Sequence, residues 1–506
     1  MARVFLINPP TDETVRSPLL SFLYLAASLQ RAGHQVALAD GSAPHGPRTN
    51  QELAERALSF APDLIGVHAK TLYAQDAYAL AKSLGESLAR LGSTARLVCG
   101  GPHATVAPLE PLAHGFQFSV RGEGEETLVE LADALDGKGS LGGVRSLAYR
   151  GPTGALELNP SRGLLLDLDA VASPLEALGL FDPAWYGATS LVPPSGLLSS
   201  RGCPAACTFC SNNVTGRRFR YRTAQSIIDE ITELQQRASF TAFTFFDDSF
   251  AVGRRRMEEL CGELARLPAK VSWTCTAHPA HLDREILRAM QAGGCGGVDI
   301  GMESGDPDML LRIGKGVTVE RVLEVLTSAS ELGLHCMLNL MFGWPDETPD
   351  ELRRTLAFIE EAAPLAAAFN ARGVLVPYPG TLVYDQNHAR FGFTEWWLRE
   401  KPLRYQPFPA DWSPREVERA YAADAALERN FFRLPPAALE LIQAGLDRKA
   451  AHTYGKVSAA LSASFALTAA SSAPGRVTRA RAAIAQGVAP EAVRAEIPLI
   501  PAAGAR

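Results

Sequence analysis

Residues 201–210 read RGCPAACTFC and place three cysteines, Cys203, Cys207 and Cys210, on one short stretch. Zinc and most iron–sulfur clusters take four protein ligands, so this C-x3-C-x2-C stretch is one ligand short. Three thiolates can hold three corners of a [4Fe–4S] cube and leave one iron open to a substrate or cofactor. The alternatives are a zinc site with a remote fourth ligand, or three unrelated thiols.

Composition limits the class of protein. The chain has 506 residues, enough for roughly three domains, and its 47% hydrophobic and 21% charged residues are typical of a globular protein. A net charge of −6 argues against a nucleic-acid partner, and no apolar run approaches the roughly 20 residues that span a bilayer. The start, MARVFLINPP, predicts a buried strand instead of a signal peptide.

The eight cysteines do not suggest a disulfide scaffold in a chain of this length. Five of them lie singly in apolar surroundings, outside the 201–210 stretch, and are expected to be buried thiols. This cysteine usage predicts a reducing, cytoplasmic location.

Residues 1–140 alternate short apolar runs with helical segments. The predicted strands are 4–8, 35–39, 63–67, 96–99 and 116–120, and the predicted helices are 18–32, 50–59 and 74–92. This order predicts a doubly wound parallel sheet, whose ligands bind beyond the carboxyl ends of the strands. Those ends are polar or rich in glycine, as in HAKT at 68–71 and GGPH at 100–103.

A turn-rich connector at 141–194 leads to a second alternating region at 195–376. Strands are predicted near 196–201, 241–246, 271–275, 297–301, 335–341 and 369–376, with amphipathic helices at 223–237 and 319–332. Six strand–helix units predict a partial (β/α)6 barrel with its chemistry at the carboxyl ends of the strands. Cys203, Asp247, Glu303 and Gly343 all lie at or just after such ends.

The remaining chain divides into a mainly helical region at 377–455, which is predicted to cap the barrel mouth, and an Ala-rich tail at 456–506, which is predicted to be partly disordered. The aromatic residues Tyr378, Tyr384, Trp396 and Trp397 either line an apolar substrate pocket or are ordinary core.

The 202–210 stretch, GCPAACTFC, closely resembles the cluster loop of radical S-adenosylmethionine (SAM) enzymes, including the aromatic Phe209 before the last cysteine. The resemblance implies a [4Fe–4S] cluster on Cys203, Cys207 and Cys210. It also implies that the amino and carboxylate groups of SAM chelate the open iron, and that an electron from the cluster then produces a 5′-deoxyadenosyl radical.

Three downstream stretches extend the resemblance: FFDDSF at 245–250, GMESG at 301–305 and MFGWPDET at 341–348. They imply SAM contacts by a set of strand-end residues, namely Asp247 or Asp248, Glu303, Ser304 and Gly343. The family's Gly-Gly-Glu motif is absent, and the Asp pair occupies its place. Taken alone, an Asp pair after a strand is typical of a helix cap, and an ESG stretch is typical of a turn.

Four stretches of the first region, INPP, SFLYLAASLQRAGHQV, GGPHAT and RGEGEET, resemble the cobalamin-binding subgroup of the same superfamily. The resemblance implies a corrinoid across the carboxyl edge of the sheet, where glycines let the backbone approach the ring. The implied contacts are Pro9, Thr71, Gly100, Gly101, Pro102, His103, Glu123, Gly124 and Glu125.

The Asp-x-His-x-x-Gly motif, whose histidine ligates cobalt from below, is absent from the chain. The residue beneath the cobalt is expected from the 68–73 loop, with His103 as an alternative neighbour or a hydrogen-bonding loop residue. A dinucleotide site at GEGEET is disfavoured, since it lacks the third glycine and carries carboxylates where a pyrophosphate would lie.

These features predict a cobalamin-dependent radical SAM methyltransferase that acts on an unactivated carbon of a small metabolite or peptide natural product. Its electron donor would resemble flavodoxin or ferredoxin, with no nucleic-acid or membrane partner. The alternatives are a non-methylating radical cyclase or rearranging oxidoreductase, and a cobalamin or redox sensor. A methylthio-transferring tRNA modifier is disfavoured because residues 1–136 contain only Cys99 and the chain is not basic.

Overall fold

The computed structural model describes residues 1–12, 15, 17–238, 240–399, 401–405 and 414–471. The chain divides into two compact units. The first comprises Met1–Phe250, Arg266–Val271 and Pro377–Arg404, and the second comprises Ala251–Ala265, Ser272–Val376 and the chain from Tyr405 onward. The chain therefore leaves the first unit for the second and later returns to it.

A seven-stranded sheet in the order β2-β1-β3-β4-β5-β6-β7 forms the core of the first unit. Its strands are β1 (Arg3–Asn8), β2 (Gln35–Asp40), β3 (Leu64–His68), β4 (Arg96–Gly100), β5 (Phe118–Val120), β6 (Leu147–Arg150) and β7 (Leu156–Leu158). Strands β1 to β5 pair in parallel, which confirms the predicted doubly wound sheet. Strand β1 lies between β2 and β3, so the carboxyl edge there is a topological switch point of the kind that binds ligands.

The crossover helices of this sheet are α1 (Leu20–Arg31), α2 (Asn50–Ser59), α3 (Ala74–Leu91), α4 (Pro102–Val106) and α5 (Glu125–Leu135). Helix α2 begins with a capping box in which Thr49 and Glu52 satisfy each other's backbone N–H groups. Helix α3 ends at Gly92, whose positive φ of 63° suits a left-handed cap. Local sequence signals therefore set these boundaries.

The connector at 141–194 contains the hairpin β6–β7, which adds to the edge of the parallel sheet in antiparallel orientation. Two short 3-10 helices follow, Pro174–Leu180 and Pro183–Tyr186. The Tyr186 hydroxyl donates to Asp40 Oδ2 at 2.9 Å, which ties the connector to the carboxyl end of β2.

The last strands of the first unit surround the cysteine stretch. They are β8 (Gly196–Leu197), β9 (Ser200–Arg201), β10 (Arg220–Tyr221) and β11 (Ala242–Phe245), with helix α6 (Ala224–Arg237) before β11. Strands β8 and β11 are parallel, whereas β9 and β10 form a short antiparallel ladder. The loop with the three cysteines leaves from β9 and returns on β10.

The second unit contains four parallel strands in the order β12-β13-β14-β15. Its elements up to residue 369 are α7 (Arg254–Arg266), β12 (Ser272–Ala277), α8 (Arg284–Ala292), β13 (Cys295–Glu303), α9 (Pro307–Arg312), α10 (Val319–Glu331), β14 (His335–Leu340), α11 (Pro349–Ala362) and β15 (Ala368–Phe369). Parallel strands that alternate with helices confirm the predicted βα pattern.

The strand predicted at 369–376 is wrong in length, because β15 ends at Phe369. The side chain of Asn370 replaces the backbone ladder there. Its Oδ1 accepts from the Leu340 N–H at 2.9 Å, and its Nδ2 donates to the Leu340 carbonyl at 3.2 Å. Beyond it only an isolated bridge between Phe342 and Val374 continues the pairing.

The C-terminal part is mainly helical, as predicted. Its helices are α12 (Leu382–Phe391) in the first unit and α13 (Pro414–Ala422), α14 (Ala425–Arg429) and α15 (Pro436–Ser471) in the second. Helix α15 includes 456–471 of the predicted Ala-rich tail, and 472–506 lie outside the described residues. Among the described residues, no helix is both long and apolar enough to cross a bilayer.

Lys449 of α15 is a lysine buried in the core of the second unit, 1% exposed. Its Nζ donates to the backbone carbonyls of Leu340 at 3.1 Å and Arg372 at 3.0 Å. Burial lowers the pKa of Lys449 to about 7, although the charges of Asp424 and Glu303 act in the opposite direction. Lys449 therefore joins α15 to the carboxyl end of β14.

Replacing Lys449 by Met should remove a pH dependence of stability. Above pH 7 the folded chain releases the Lys449 proton while the unfolded chain keeps it up to its ordinary pKa, so the wild type gains stability as pH rises. We expect a gain of about 2–3 kcal/mol relative to Lys449→Met between pH 6 and pH 9. Thermal unfolding at pH 6, 7.5 and 9 measures this gain. The neighbouring exposed Arg448→Met is the control, and parallel curves for wild type and Lys449→Met would contradict the prediction.

Candidate functional site

The three-cysteine loop is held mainly by its backbone. Cys203 is half-buried, Cys207 is buried and Cys210 is exposed, and all three are in the thiol form. The N–H of Cys203 donates to the Gly216 carbonyl at 3.2 Å, and the N–H of Cys210 donates to the Cys207 carbonyl at 3.3 Å. Three thiols on one loop fit three corners of a cube.

The zinc alternative lacks a ligand set in the part of the chain that the structure describes. No group of three or more His, Cys, Asp or Glu side chains there could hold a single metal ion. Thiolates that each hold a different iron of a cluster need not converge on one point, so the loop keeps its fit to a cluster.

Gly202, just before the first cysteine, has a φ of +87° and lies against the returning strand. A Cβ there would be 2.4 Å from the Arg218 carbonyl oxygen, so only glycine fits. The Gly202 N–H donates to Asp248 Oδ2 at 2.9 Å, and the Thr215 hydroxyl donates to the same oxygen at 2.7 Å. Asp248 thus supports both ends of the loop.

Asp247 also binds the protein itself. It is fully buried, its Oδ1 accepts from the Ser199 N–H at 2.7 Å, and its Oδ2 accepts from the Ser200 hydroxyl at 2.6 Å. The predicted contact of Asp247 or Asp248 with the SAM amino group stays a prediction. The structure adds a role that the sequence did not indicate, because both carboxylates support the strand end and the loop.

Buried ion pairs join the cysteine loop to the sheet of the first unit. Arg201 donates from Nη1 to Glu123 at 2.9 Å and from Nη2 to Glu125 at 2.6 Å. Arg220, on the returning strand, donates to the second oxygen of Glu123 at 2.8 Å. All four residues are at most 8% exposed, and the Arg201 guanidinium lies 5.1 Å from the ring centroid of Tyr24.

These pairs engage the carboxylates of Glu123 and Glu125, which were predicted to contact cobalamin. Glu123 Oε2 also accepts from the Leu165 N–H at 2.9 Å. Their assignment as cobalamin contacts stays a prediction, but the side chains already serve the loop. Sequence reasoning missed the roles of Arg201 and Arg220. The available signal was an arginine on each side of the loop and the glutamates of GEGEET.

The other predicted cobalamin contacts lie together at the carboxyl edge of the sheet. Pro9 follows β1, Thr71 begins a 3-10 turn after β3, and Gly100, Gly101 and Pro102 join β4 to α4. Gly124 immediately precedes α5. The edge is tight, since a Cβ on Gly101, whose φ is +104°, would be 2.9 Å from the Ala69 carbonyl oxygen.

His103 lies fully buried in a hydrogen-bonded network at this edge. Its Nδ1 is 3.2 Å from the Thr71 hydroxyl, and its Nε2 is 2.9 Å from both the Tyr78 hydroxyl and Glu110 Oε1. Burial alone would raise the pKa of Glu110, but the hydrogen bond and charge of His103, with bonds from Tyr78 and Trp397, lower it. Both ring nitrogens of His103 therefore have protein partners, as expected of a hydrogen-bonding residue.

The segment Pro377–Arg404 also packs within the first unit. Trp397 donates from Nε1 to Glu110 at 3.0 Å, and Gln75 donates to the Trp397 carbonyl at 2.7 Å. On the cysteine loop, the Thr208 carbonyl accepts from the Val383 N–H at 3.0 Å. This segment thus contacts both the loop and the sheet edge.

The aromatic residues of this segment resemble ordinary core more than a pocket lining. Trp396 is fully buried and donates to the Pro377 carbonyl at 2.9 Å, while Tyr384 and Trp397 are also buried. Tyr378 is half-buried and lies 6.0 Å from the Trp396 ring centroid.

In the second unit, Glu303 ends β13 with a left-handed φ of +72°. It is buried and paired with Lys315 at 3.0 Å. Gly301 makes room for this pair, because a Cβ there would be 2.4 Å from Glu303 Oε1. The next residue, Ser304, shares its hydroxyl with Thr355 at 3.1 Å.

Gly343, a predicted SAM contact, follows β14 with a φ of +80°. Its N–H donates to Glu347 Oε2 at 2.7 Å, and the Trp344 N–H donates to the same oxygen at 3.1 Å. Burial raises the pKa of Glu347 to about 8, against the lowering effect of these two bonds. Sequence reasoning missed both Glu347 and Lys315.

Comparisons with known proteins agree with these features. The Radical SAM superfamily model matches residues 197–359, and the B12 binding domain model matches residues 16–132. The uncharacterized methyltransferase PH0819 of Pyrococcus horikoshii is 31% identical over 392 residues, covering 76% of this chain and 82% of that protein. The anaerobic magnesium-protoporphyrin IX monomethyl ester cyclase of Synechocystis sp. is 28% identical over 329 residues, covering 62% of this chain and 63% of that protein.

A solved structure also shares the fold. The radical SAM methyltransferase TsrM from Kitasatospora setae, with cobalamin and a [4Fe–4S] cluster bound, matches with a TM-score of 0.61 and 21% identity. The match covers 83% of this chain and 82% of TsrM.

A B12-binding sheet followed by a three-cysteine loop and parallel βα units defines a cobalamin-dependent radical SAM enzyme. This chain belongs to the radical SAM methyltransferases that carry a B12-binding domain, the family of PH0819. The predicted enzyme class and its three cofactors, the [4Fe–4S] cluster, SAM and cobalamin, are confirmed.

Replacing Glu123 by Gln tests the buried ion pairs. After the change, Glu125 is the one carboxylate of the four-residue cluster that balances the charges of Arg201 and Arg220. An uncompensated buried charge costs about 3–5 kcal/mol. We expect a clear fall in the thermal unfolding midpoint and in the iron content after reconstitution. The control is Glu126→Gln, since Glu126 pairs with Arg162 but is 52% exposed, and it should cost less than about 1 kcal/mol. Equal small effects of the two changes would contradict the prediction.

Proposed function

We propose that the protein transfers a methyl group to an unactivated carbon of a small metabolite or natural-product intermediate. The supporting observation is that the loop with its three thiols and the B12-binding sheet lie in one compact unit, joined by the ion pairs of Arg201. A sensor would need neither a three-thiol loop with an open position nor such tight coupling to a B12-binding edge.

The residues present fit the cofactors. Three thiols and no fourth cysteine on the loop suit a cube with one open iron. At the sheet edge, a side chain at Gly100 would meet open space, which leaves room for a flat ring. When bound, the cluster with SAM supplies a radical that abstracts hydrogen, and cobalamin supplies the methyl group. The protein holds the irons by Cys203, Cys207 and Cys210.

The chain's own residues orient these groups. Arg201 and Asp248 fix the start of the loop, and Asp248 also accepts from the Thr215 hydroxyl near its end. We propose Glu303 and Gly343 as contacts of SAM, since both lie at strand ends with a positive φ, which is a strained conformation for Glu303. Phe209 and Ser304 follow from the family resemblance alone.

A second candidate is a non-methylating cyclase, favoured by the similarity to the Synechocystis cyclase. The two functions differ in the product, because methylation adds the mass of one CH₂ group and cyclisation does not. The mass of the product formed from any accepted substrate therefore separates them.

Cys207→Ala should abolish both cluster binding and SAM cleavage. With two thiolates left the cube loses a corner, so the iron and sulfide content should fall and dithionite should yield no 5′-deoxyadenosine from SAM. Cys261→Ala is the matched control, because Cys261 is also buried but lies on α7, outside the loop. A Cys207→Ala protein that keeps its cluster and cleaves SAM would refute the site. Wild type with intact cluster that never cleaves SAM would refute the enzymatic function.

We also propose that an acidic one-electron carrier, of the flavodoxin or ferredoxin type, reduces the cluster. Arg217 and Arg218 lie on the returning side of the cysteine loop, are exposed, and have no ion pair among the described residues. Arg220 and Arg222, in the same stretch, are instead paired with Glu123 and Glu230. Two free positive charges beside the loop would attract an acidic partner despite the net charge of −6.

Reduced thiols also suit the cytoplasm, which we propose as the location.

The double change Arg217→Glu, Arg218→Glu should slow reduction of the cluster by flavodoxin about tenfold at low salt, because rim charges govern association rates. Reduction by dithionite should be unchanged. Arg90→Glu with Arg96→Glu is the control, with the same change of charge on two exposed arginines at the end of α3 and the start of β4. Stopped-flow absorbance measures both rates. If both double variants behave alike, this docking surface is wrong.

A further inference from the structure

His68 ends β3 at the carboxyl edge of the first-unit sheet. Its Nε2 atom is buried and has no hydrogen-bond partner among the residues that the structure describes. Burial, with a smaller effect of the Lys70 charge, lowers the pKa of His68 to about 4, so the imidazole is neutral near pH 7. A buried polar atom without a partner costs about 1–3 kcal/mol, and such atoms are rare in native proteins.

The His68 ring lies between two elements of the edge. A Cβ on Gly101 would be 3.0 Å from His68 Cδ2 and 3.1 Å from Nε2, and on the other side the ring centroid of Phe22 is 6.1 Å away. Gly101 has a φ of +104°, which side chains rarely adopt. A glycine at position 101 therefore leaves room beside Nε2 that a side chain there would fill.

The backbone around His68 is well fixed, so the unpaired nitrogen does not reflect a loose loop. The Ala69 N–H donates to the Gly100 carbonyl at 2.8 Å, and the Ala69 carbonyl accepts from the His103 N–H at 3.0 Å. His103, on the same edge, has protein partners for both ring nitrogens. The two histidines thus differ, and only His68 keeps a nitrogen for a ligand.

We propose that Nε2 of His68 makes a direct polar contact with the bound corrinoid. This inference rests on the proposed function, and it names a residue for the contact in a chain without an Asp-x-His-x-x-Gly motif. A neutral imidazole nitrogen can ligate cobalt, or it can form a hydrogen bond with an amide or base of the corrinoid. Either contact supplies the partner that Nε2 lacks within the protein.

The test compares the full chain with two variants. His68→Leu replaces the imidazole by an apolar side chain of similar size and so removes the nitrogen. His68→Gln keeps a polar nitrogen at a comparable distance from the backbone. Hydroxocobalamin is titrated into each apo protein, and its binding is followed by tryptophan fluorescence. We expect His68→Leu to raise Kd at least about tenfold and His68→Gln to stay within about threefold of wild type.

Stability separates this role from a structural one. Removing an unsatisfied buried nitrogen should leave the apo His68→Leu protein at least as stable as wild type, while its gain in Tm on adding hydroxocobalamin shrinks. A structural role would lower the Tm of the apo protein instead, and that result would overturn the inference.

Electron paramagnetic resonance of the cob(II)alamin-loaded protein distinguishes the two contacts. If His68 ligates cobalt, nitrogen superhyperfine splitting changes from a triplet to a doublet on 15N labelling of histidine and is lost in His68→Leu. If His68 donates or accepts a hydrogen bond, affinity falls without this splitting. Equal affinity and equal spectra in wild type and His68→Leu would overturn the inference alone. Failure of the wild type to bind cobalamin would overturn the proposed function as well.

Discussion

The structure of the first unit depends on the buried charges of Arg201, Arg220, Glu123 and Glu125. Two positive and two negative groups balance in a buried region, where an unpaired charge would be costly. Arg201 is the last residue of β9 before the cysteine loop, and Glu125 is the first residue of α5. A strand end and a helix start are thereby held at a hydrogen-bond distance, although 76 residues separate them in sequence.

Such a network contributes more to geometry than to net stability, because the cost of removing charges from water offsets much of their attraction. The bidentate Arg201 admits only a narrow range of orientations for its partners. Asp248 binds the same loop at the Gly202 N–H, and the Val383 N–H binds it at the Thr208 carbonyl. Contacts from several parts of the first unit thus hold the backbone of the loop.

The sequence predicts well what depends on local patterns. Apolar runs between helices predict β1 to β5, the capping box of Thr49 and Glu52 marks the start of α2, and three cysteines at fixed spacing mark the loop. Partner choice over long distances is not encoded in a local pattern. Neither the pairing of Arg201 with Glu123 nor the burial of Lys449 against backbone carbonyls could be predicted from residues nearby in sequence.

One error and one omission of sequence reasoning have the same cause. The segment 369–376 was taken as a regular strand, and the ion pairs of Glu123 and Glu125 were not foreseen, because side-chain partners that are distant in sequence leave no local pattern. The arginines engage the glutamates, and the amide of Asn370 replaces the ladder that would have continued β15.

The return of the chain to the first unit at Pro377–Arg404 constrains the order of events during synthesis. The cysteine loop leaves the ribosome well before Val383, which binds the loop, and before Trp397, which binds Glu110. At roughly 5–20 residues per second, this wait lasts on the order of ten seconds or more. A nascent chain therefore carries a thiol loop that has not yet acquired its late contacts, and its protection from oxygen falls to the environment in which it is translated.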